Sequence, residues 1–240
     1  MKPWHATELL EVWDAGHGLH SVDRALMLLA VAYPEHDWDS LCALPVGERN
    51  RLLLQARAVS FGPRLDVVSA CPACGEQVEF EFRFPIADFE PTAPAGAELT
   101  LQGGANLRWR LPNSLDLAAI AGAASSLEAQ RELLSRCIAG LELDPGTPAE
   151  LRALAEQFSQ EVEQHDPLAS IAFPLRCTGC ETPWRASLDP VEYIWQEVSQ
   201  RVRVLIHEVD AIARVYGWSE REILSLTPAR RRLYCDQVRA

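Results

Sequence analysis

At 240 residues, 48% of them apolar, the chain is long enough for one large domain or two small ones with a real core, which excludes disorder as its main state. A net charge of −12 argues against a general nucleic-acid binder, because neutralising phosphates takes Lys and Arg. The charge is also uneven: from Pro190 onward the net is +1, so the first 189 residues carry −13, a split that suits distinct surfaces for distinct partners.

The amino terminus, MKPWHATELLEVWDAG, has one lysine and no uninterrupted apolar run, so it reads as neither a secretory signal nor a membrane span and places the protein in the cytoplasm. Three helices follow. Thr7 caps the first, Ser21 caps the run VDRALMLLAVAY that stops before Pro34, and a third begins near Pro45 and ends at Gly62. The period then changes to two. RLDVVSA and EQVEFEFRF read as strands, the second with Val78, Phe80, Phe82 and Phe84 on one face and Glu79, Glu81 and Arg83 on the other.

Residues 85–106 are rich in Pro, Gly and Ala and read as a loop with a short strand near Glu98 to Leu101, followed by a strand LRWRL. Helices resume at Ser114 and run, with breaks at Gly122 and DPGTP, to about Gln164. IAFPLR and PWRASLD are the last two strands, and they flank CTGC much as the first two flank CPAC.

These twin knuckles are the chemistry of the sequence. Cys71 and Cys74 supply two thiolates and Cys177 and Cys180 two more, the donor set of a tetrahedral zinc ribbon with one ion. In a reducing compartment such pairs point to metal or redox work and not to structural disulfides. The 102 residues between Cys74 and Cys177 far exceed a compact ribbon, so residues 85–165 must be an insertion mounted on it. Gly75 can take the positive φ such a turn needs; the second knuckle has Glu181 there, so its turn is expected to differ in detail. A rubredoxin-like iron site and two separate redox pairs are the alternatives, the latter weakened because neither pair opens a helix. Four protein ligands leave no open position, which makes the metal structural. Cys42, Cys137 and Cys235 read as small core residues.

No enzyme signature stands. His207 opens HEVDA, but Ala211 occupies the place of a second zinc-binding histidine; His17 and His20 lack accompanying ligands; Glu161 and Glu163 read as a solvated face; GxGxxG, GxxxxGK[ST] and GxSxG are absent. No small-molecule substrate is implied.

After Asp189 and Pro190 one long helix runs to Tyr216 with a heptad seam of Val191, Trp195, Val198, Val202, Leu205, Val209, Ile212 and Tyr216. Residues 195 to 216 of this seam form a candidate partner-binding surface, the competing reading being a helix packed on its own body. Ser219 with Glu222 is a capping box for a short helix, and Thr227 with Pro228 opens a last one. The segments "YGWSEREILSLTPARRRLY", "RWRLPNSLDLAAIAG" and "ALPVGERNRLLLQAR", with the two CxxC knuckles, resemble the baseplate proteins of contractile phage tails and related injection systems, specifically the small hub-associated or assembly proteins grouped with the T-even baseplate hub. That resemblance implies a non-enzymatic structural or chaperone-like part, with other baseplate or tail proteins as partners and no catalytic residues carried over. A zinc-ribbon adaptor for nucleic acid or protein, and an enzyme with purely structural zinc, are the rival functions.

The fold expected is α+β, mainly helical, with a small antiparallel zinc-ribbon sheet interrupted by a long helical insertion. Its parts are a helical segment 1–62, a split ribbon 63–90 and 168–189, an insertion 91–167 and a helical arm 190–240.

Overall fold

The computed structural model describes residues 1–83, 98–100, 106–141 and 147–239. It is mainly helical with small two-stranded antiparallel sheets, the α+β class expected. Among the described residues no helix is long and apolar enough to cross a membrane.

The chain opens with α1 (Ala6–Gly16), α2 (Ser21–Ala32), α3 (Trp38–Ala43) and α4 (Val46–Phe61). The expected caps shift by one or two residues: His5 is the N-cap of α1, and the His20 ring caps α2 by accepting from the Val22 N–H. The short α3 went unread in the sequence. Asp37 caps it at the Ser40 N–H, and it buries Leu41 and Cys42. Helix α4 begins after Pro45, which offers no side-chain cap; instead Asp166, 119 positions later, accepts from the Gly47 N–H at 2.7 Å. A carboxylate at that end complements the helix dipole. Only glycine fits, since a Cβ at Gly47 would stand 1.7 Å from Asp166 Oδ1.

Strands β1 (Arg64–Ala70) and β2 (Gln77–Arg83) form a hairpin whose register runs from Arg64 opposite Arg83 to Ala70 opposite Gln77. Phe84 and most of the Pro- and Ala-rich stretch lie outside the described residues, as does Leu101. Strands β3 (Glu98–Thr100) and β4 (Asn106–Arg108) pair antiparallel, and Trp109 bridges to Ile138. The insertion continues as α5 (Ser114–Ile120), α6 (Ser126–Cys137) and α7 (Pro148–His165), the last capped by Thr147; Asp144 to Gly146 of the expected break lie outside the described residues. Strands β5 (Ile171–Arg176) and β6 (Pro183–Leu188) make the second knuckle hairpin. The described strands of the ribbon are thus two separate hairpins facing each other, not one hydrogen-bonded sheet.

The arm is α8 (Pro190–Tyr216), α9 (Glu220–Leu224) and α10 (Pro228–Arg239). Its seam packs within this chain. Trp195, Val198 and Val202 lie buried with Leu28, Leu29, Leu53 and Ile194 in the main core between α1, α2, α4 and α8. Leu205 is buried as well, while Val209 and Ile212 join Ile223 and Cys235 in a terminal cluster. Val209 is half-buried, and Tyr216 reaches solvent, stacked on Trp218. Each such buried Val, Leu or Ile contributes about 1.5–3 kcal/mol, so the sequence-read partner face of α8 is committed to its own core.

Candidate metal centre

Each knuckle is built by its flanking strands. β1 delivers Cys71 and β2 leaves after Glu76; β5 delivers Cys177 and β6 leaves after Thr182. In the first knuckle the Cys71 N–H donates to Glu76 O at 2.8 Å and the Gly75 N–H to Cys71 O at 2.9 Å; in the second the Cys177 N–H donates to Thr182 O and the Glu181 N–H to Cys177 O, both at 3.0 Å. The two turns are therefore the same turn. Gly75 sits at φ 78° and Glu181 at φ 58°, so the expected difference between the knuckles is corrected: the hydrogen bonds require the left-handed position in both, and Glu181 occupies it at a conformational cost.

The hairpins meet through Phe173, whose ring lies 5.2 Å from Phe80 and 4.7 Å from Phe82. Beneath them Leu54 of α4, Leu65, Val67, Leu168 and Leu188 form a small core that seats the ribbon on the helices. The Tyr193 hydroxyl adds a staple from α8, accepting from the Asp66 N–H and donating to Asp66 O.

At the far end the four sulfurs converge, all within 4.8 Å of one another. Cys71 Sγ lies 3.6 Å from Cys180 Sγ, and Cys74 Sγ 3.5 Å from Cys177 Sγ. Tetrahedral Zn–S bonds of about 2.3 Å set sulfurs about 3.8 Å apart, whereas a disulfide needs about 2.05 Å. The set fits a metal. Cys71 and Cys177 are 2% and 1% exposed, while Cys74 and Cys180 face solvent, so each knuckle contributes one inner and one outer thiol. The Gly179 and Cys180 N–H groups approach Cys177 Sγ at 3.4 Å, positioned to soften negative charge on it. Cys180 is drawn down to about 6 by the Thr182 hydroxyl, then by the Thr182 backbone and the neighbouring sulfurs. Cys74 responds oppositely: the Glu76 backbone pulls it down, but the sulfurs of Cys180 and Cys177 outweigh that and push it up to about 12. When bound, a divalent ion would supply charge neutralisation and cross-linking, with all four positions taken by thiolates.

The remaining sequence candidates sit apart from this centre. His207 is exposed on α8, His20 caps α2, His17 lies against Trp13, and Glu161 pairs with His165. Cys42, Cys137 and Cys235 are buried. A buried polar cluster escaped the sequence reading: Asp116 is fully enclosed, with Arg110 at 2.6 and 2.9 Å and Arg136 at 2.9 Å. Burial pushes its carboxyl up, but the two guanidinium groups and the Asn113 N–H outweigh it and hold it at about 2. The Asn113 to Asp116 spacing was the local signal for it, a capping box at α5.

A family model for the T4 bacteriophage base plate protein matches residues 26–183, well over half of the chain. The chain belongs to that base plate family. No curated protein and no solved structure matches it. The base plate match runs from within α2 to the first residue of β6 and so contains all four cysteines, whereas α1 and α8 to α10 lie outside it. Base plate membership supports a structural component of a phage tail and other base plate proteins as its partners.

Proposed function

We propose that the chain is a non-enzymatic structural or assembly component of a contractile phage-tail-like baseplate, of the hub-associated kind, made in the cytoplasm and holding one zinc ion purely as a staple. The observation that carries this reading is a closed set of four thiols inside a base plate family fold. An ion with four protein ligands has no position for substrate or water, so it stabilises without catalysing. Glu76, Glu79 and Glu81 beside the first knuckle disfavour a nucleic-acid adaptor, because carboxylates repel phosphate.

In this reading residues 1–62 and the first half of the arm 190–240 form the body, the split ribbon 63–90 and 168–189 locks it, and the insertion 91–167 is tied to the start of α4 through Pro112, Asn113 and Asp166. The test has two parts. Elemental analysis of the purified protein is expected to give one zinc per chain; no metal would overturn the staple, and iron would overturn zinc as its ion. Tagged protein recovered from its native host is expected to bring down baseplate and tail proteins, and recovery alone or with unrelated proteins would overturn the role. Its presence in finished particles would mark a resident part, its absence an assembly factor.

A further inference from the structure

We propose that the chain associates with a second copy of itself, α10 of one copy seating in the groove between α6 and α7 of the next. Helix α10 has two unlike faces. Arg231 and Cys235 turn inward, Arg231 donating to Glu208 at 2.8 Å and to Leu226 O at 2.7 Å. Two positions on from Arg231, on the opposite side of a 3.6-residue helix, Leu233 stands 65% exposed, the highest value of any large apolar side chain described. Exposed Arg230 and Arg232 flank it, with Asp236 the one carboxylate on the helix.

The groove has the complementary character. It encloses about 350 Å³ and is lined by Leu133, Leu134, Phe158 and Val162, with Glu156 at its edge. On the groove side of α7, Glu163 follows Glu156 at two turns' spacing with Arg152 one turn before, so the stripe beside the groove carries two carboxylates and one guanidinium, while Glu150 and Glu161 lie on the opposite side. An apolar groove bordered along α7 by Glu156 and Glu163 suits a helix that presents a protruding apolar side chain between arginines, the helix-in-groove mode of recognition. This chain presents such a helix on a different part of its surface, α10 being packed on α8 and α9 while the groove belongs to the insertion. Because two different surfaces meet, the contact closes reciprocally in a dimer or repeats head to tail in a ring. It does not depend on the metal or on the base plate role.

The experiment is sedimentation velocity over a concentration series of the full metal-loaded chain. The wild type is expected to self-associate, and Leu233→Asp to raise the concentration of half-association at least about tenfold while circular dichroism and metal content stay unchanged. Two charge-reversed proteins provide the sharper readout: Arg230→Glu/Arg232→Glu and Glu156→Arg/Glu163→Arg. Each alone should be monomeric, since like charges then meet, and an equimolar mixture should associate again. A wild type monomeric throughout, an oligomer indifferent to Leu233→Asp, or a mixture that stays monomeric would each overturn the proposal.

Discussion

Removing one thiolate tests the staple most directly. In Cys177→Ser the weak hydroxyl replaces a ligand whose sulfur lies 3.5 Å from Cys74 Sγ, and the two residues are 103 positions apart. By the chain-entropy treatment of cross-links, a closed loop of that length removes about 4.7 kcal/mol of unfolded-state freedom. The stapled hairpins still touch through Phe80, Phe82 and Phe173, so the variant keeps some of its ribbon packing and the figure is an upper bound. Against a typical domain stability of about 5–15 kcal/mol this is a large fraction. For a chain of this size each kcal/mol shifts the midpoint by about 2–4 °C, so calorimetry should show Tm lower by about 10–20 °C. Chelation of the wild type should produce a similar drop, reversed by returning zinc. If Tm of Cys177→Ser and of the chelated wild type both stay within about 2 °C of the loaded protein, the ion does not tie the two segments and the reasoning fails.

Gly47→Ala should cost about 3–5 kcal/mol by denaturant titration, since its Cβ would displace the Asp166 cap, whereas Gly179→Ala, whose nearest neighbour would be Cys177 Sγ at an ordinary 3.8 Å, should be nearly neutral. The twin turns predict opposite signs at equivalent positions: Gly75→Ala should destabilise by about 1 kcal/mol and Glu181→Gly should stabilise by a similar amount or less, read as shifts in denaturant midpoint. Asp116 has a depressed carboxyl, so its contribution is present above about 3.8 and lost as pH falls towards about 2. Asp116→Asn should therefore lose roughly 2 kcal/mol at neutral pH and show a flatter decline of stability across that acid window than the wild type.

What the sequence made legible was local. The strand, knuckle, strand pattern placed both hairpins and all four sulfurs, and the unbroken run after Pro190 gave α8 as one helix, because periodicity and capping are properties of adjacent residues. Six-residue α3 was missed because its one signal, Asp37, follows a proline that read as an end. The cap of α4 by Asp166, the pairing of Arg57 with Glu197 140 positions away and the enclosure of Asp116 depend on tertiary approach, which no spacing rule reports. The heptad seam was visible, but its destination was not, since an apolar stripe looks the same whether it meets its own core or a neighbour.

The distance between the knuckles also sets a clock during synthesis. The first hairpin leaves the ribosome with two thiols and half a binding site, and at about 5–20 residues per second its partner follows roughly 5–20 s later. Through that interval Phe80 and Phe82 have no Phe173 to cover them, and the alternating Glu79, Glu81 and Arg83 are what keeps the exposed strand from pairing with another nascent chain. The four thiols come together only after most of the chain exists, so uptake of the proposed ion with full coordination would report that translation has passed the insertion and that both halves have found each other.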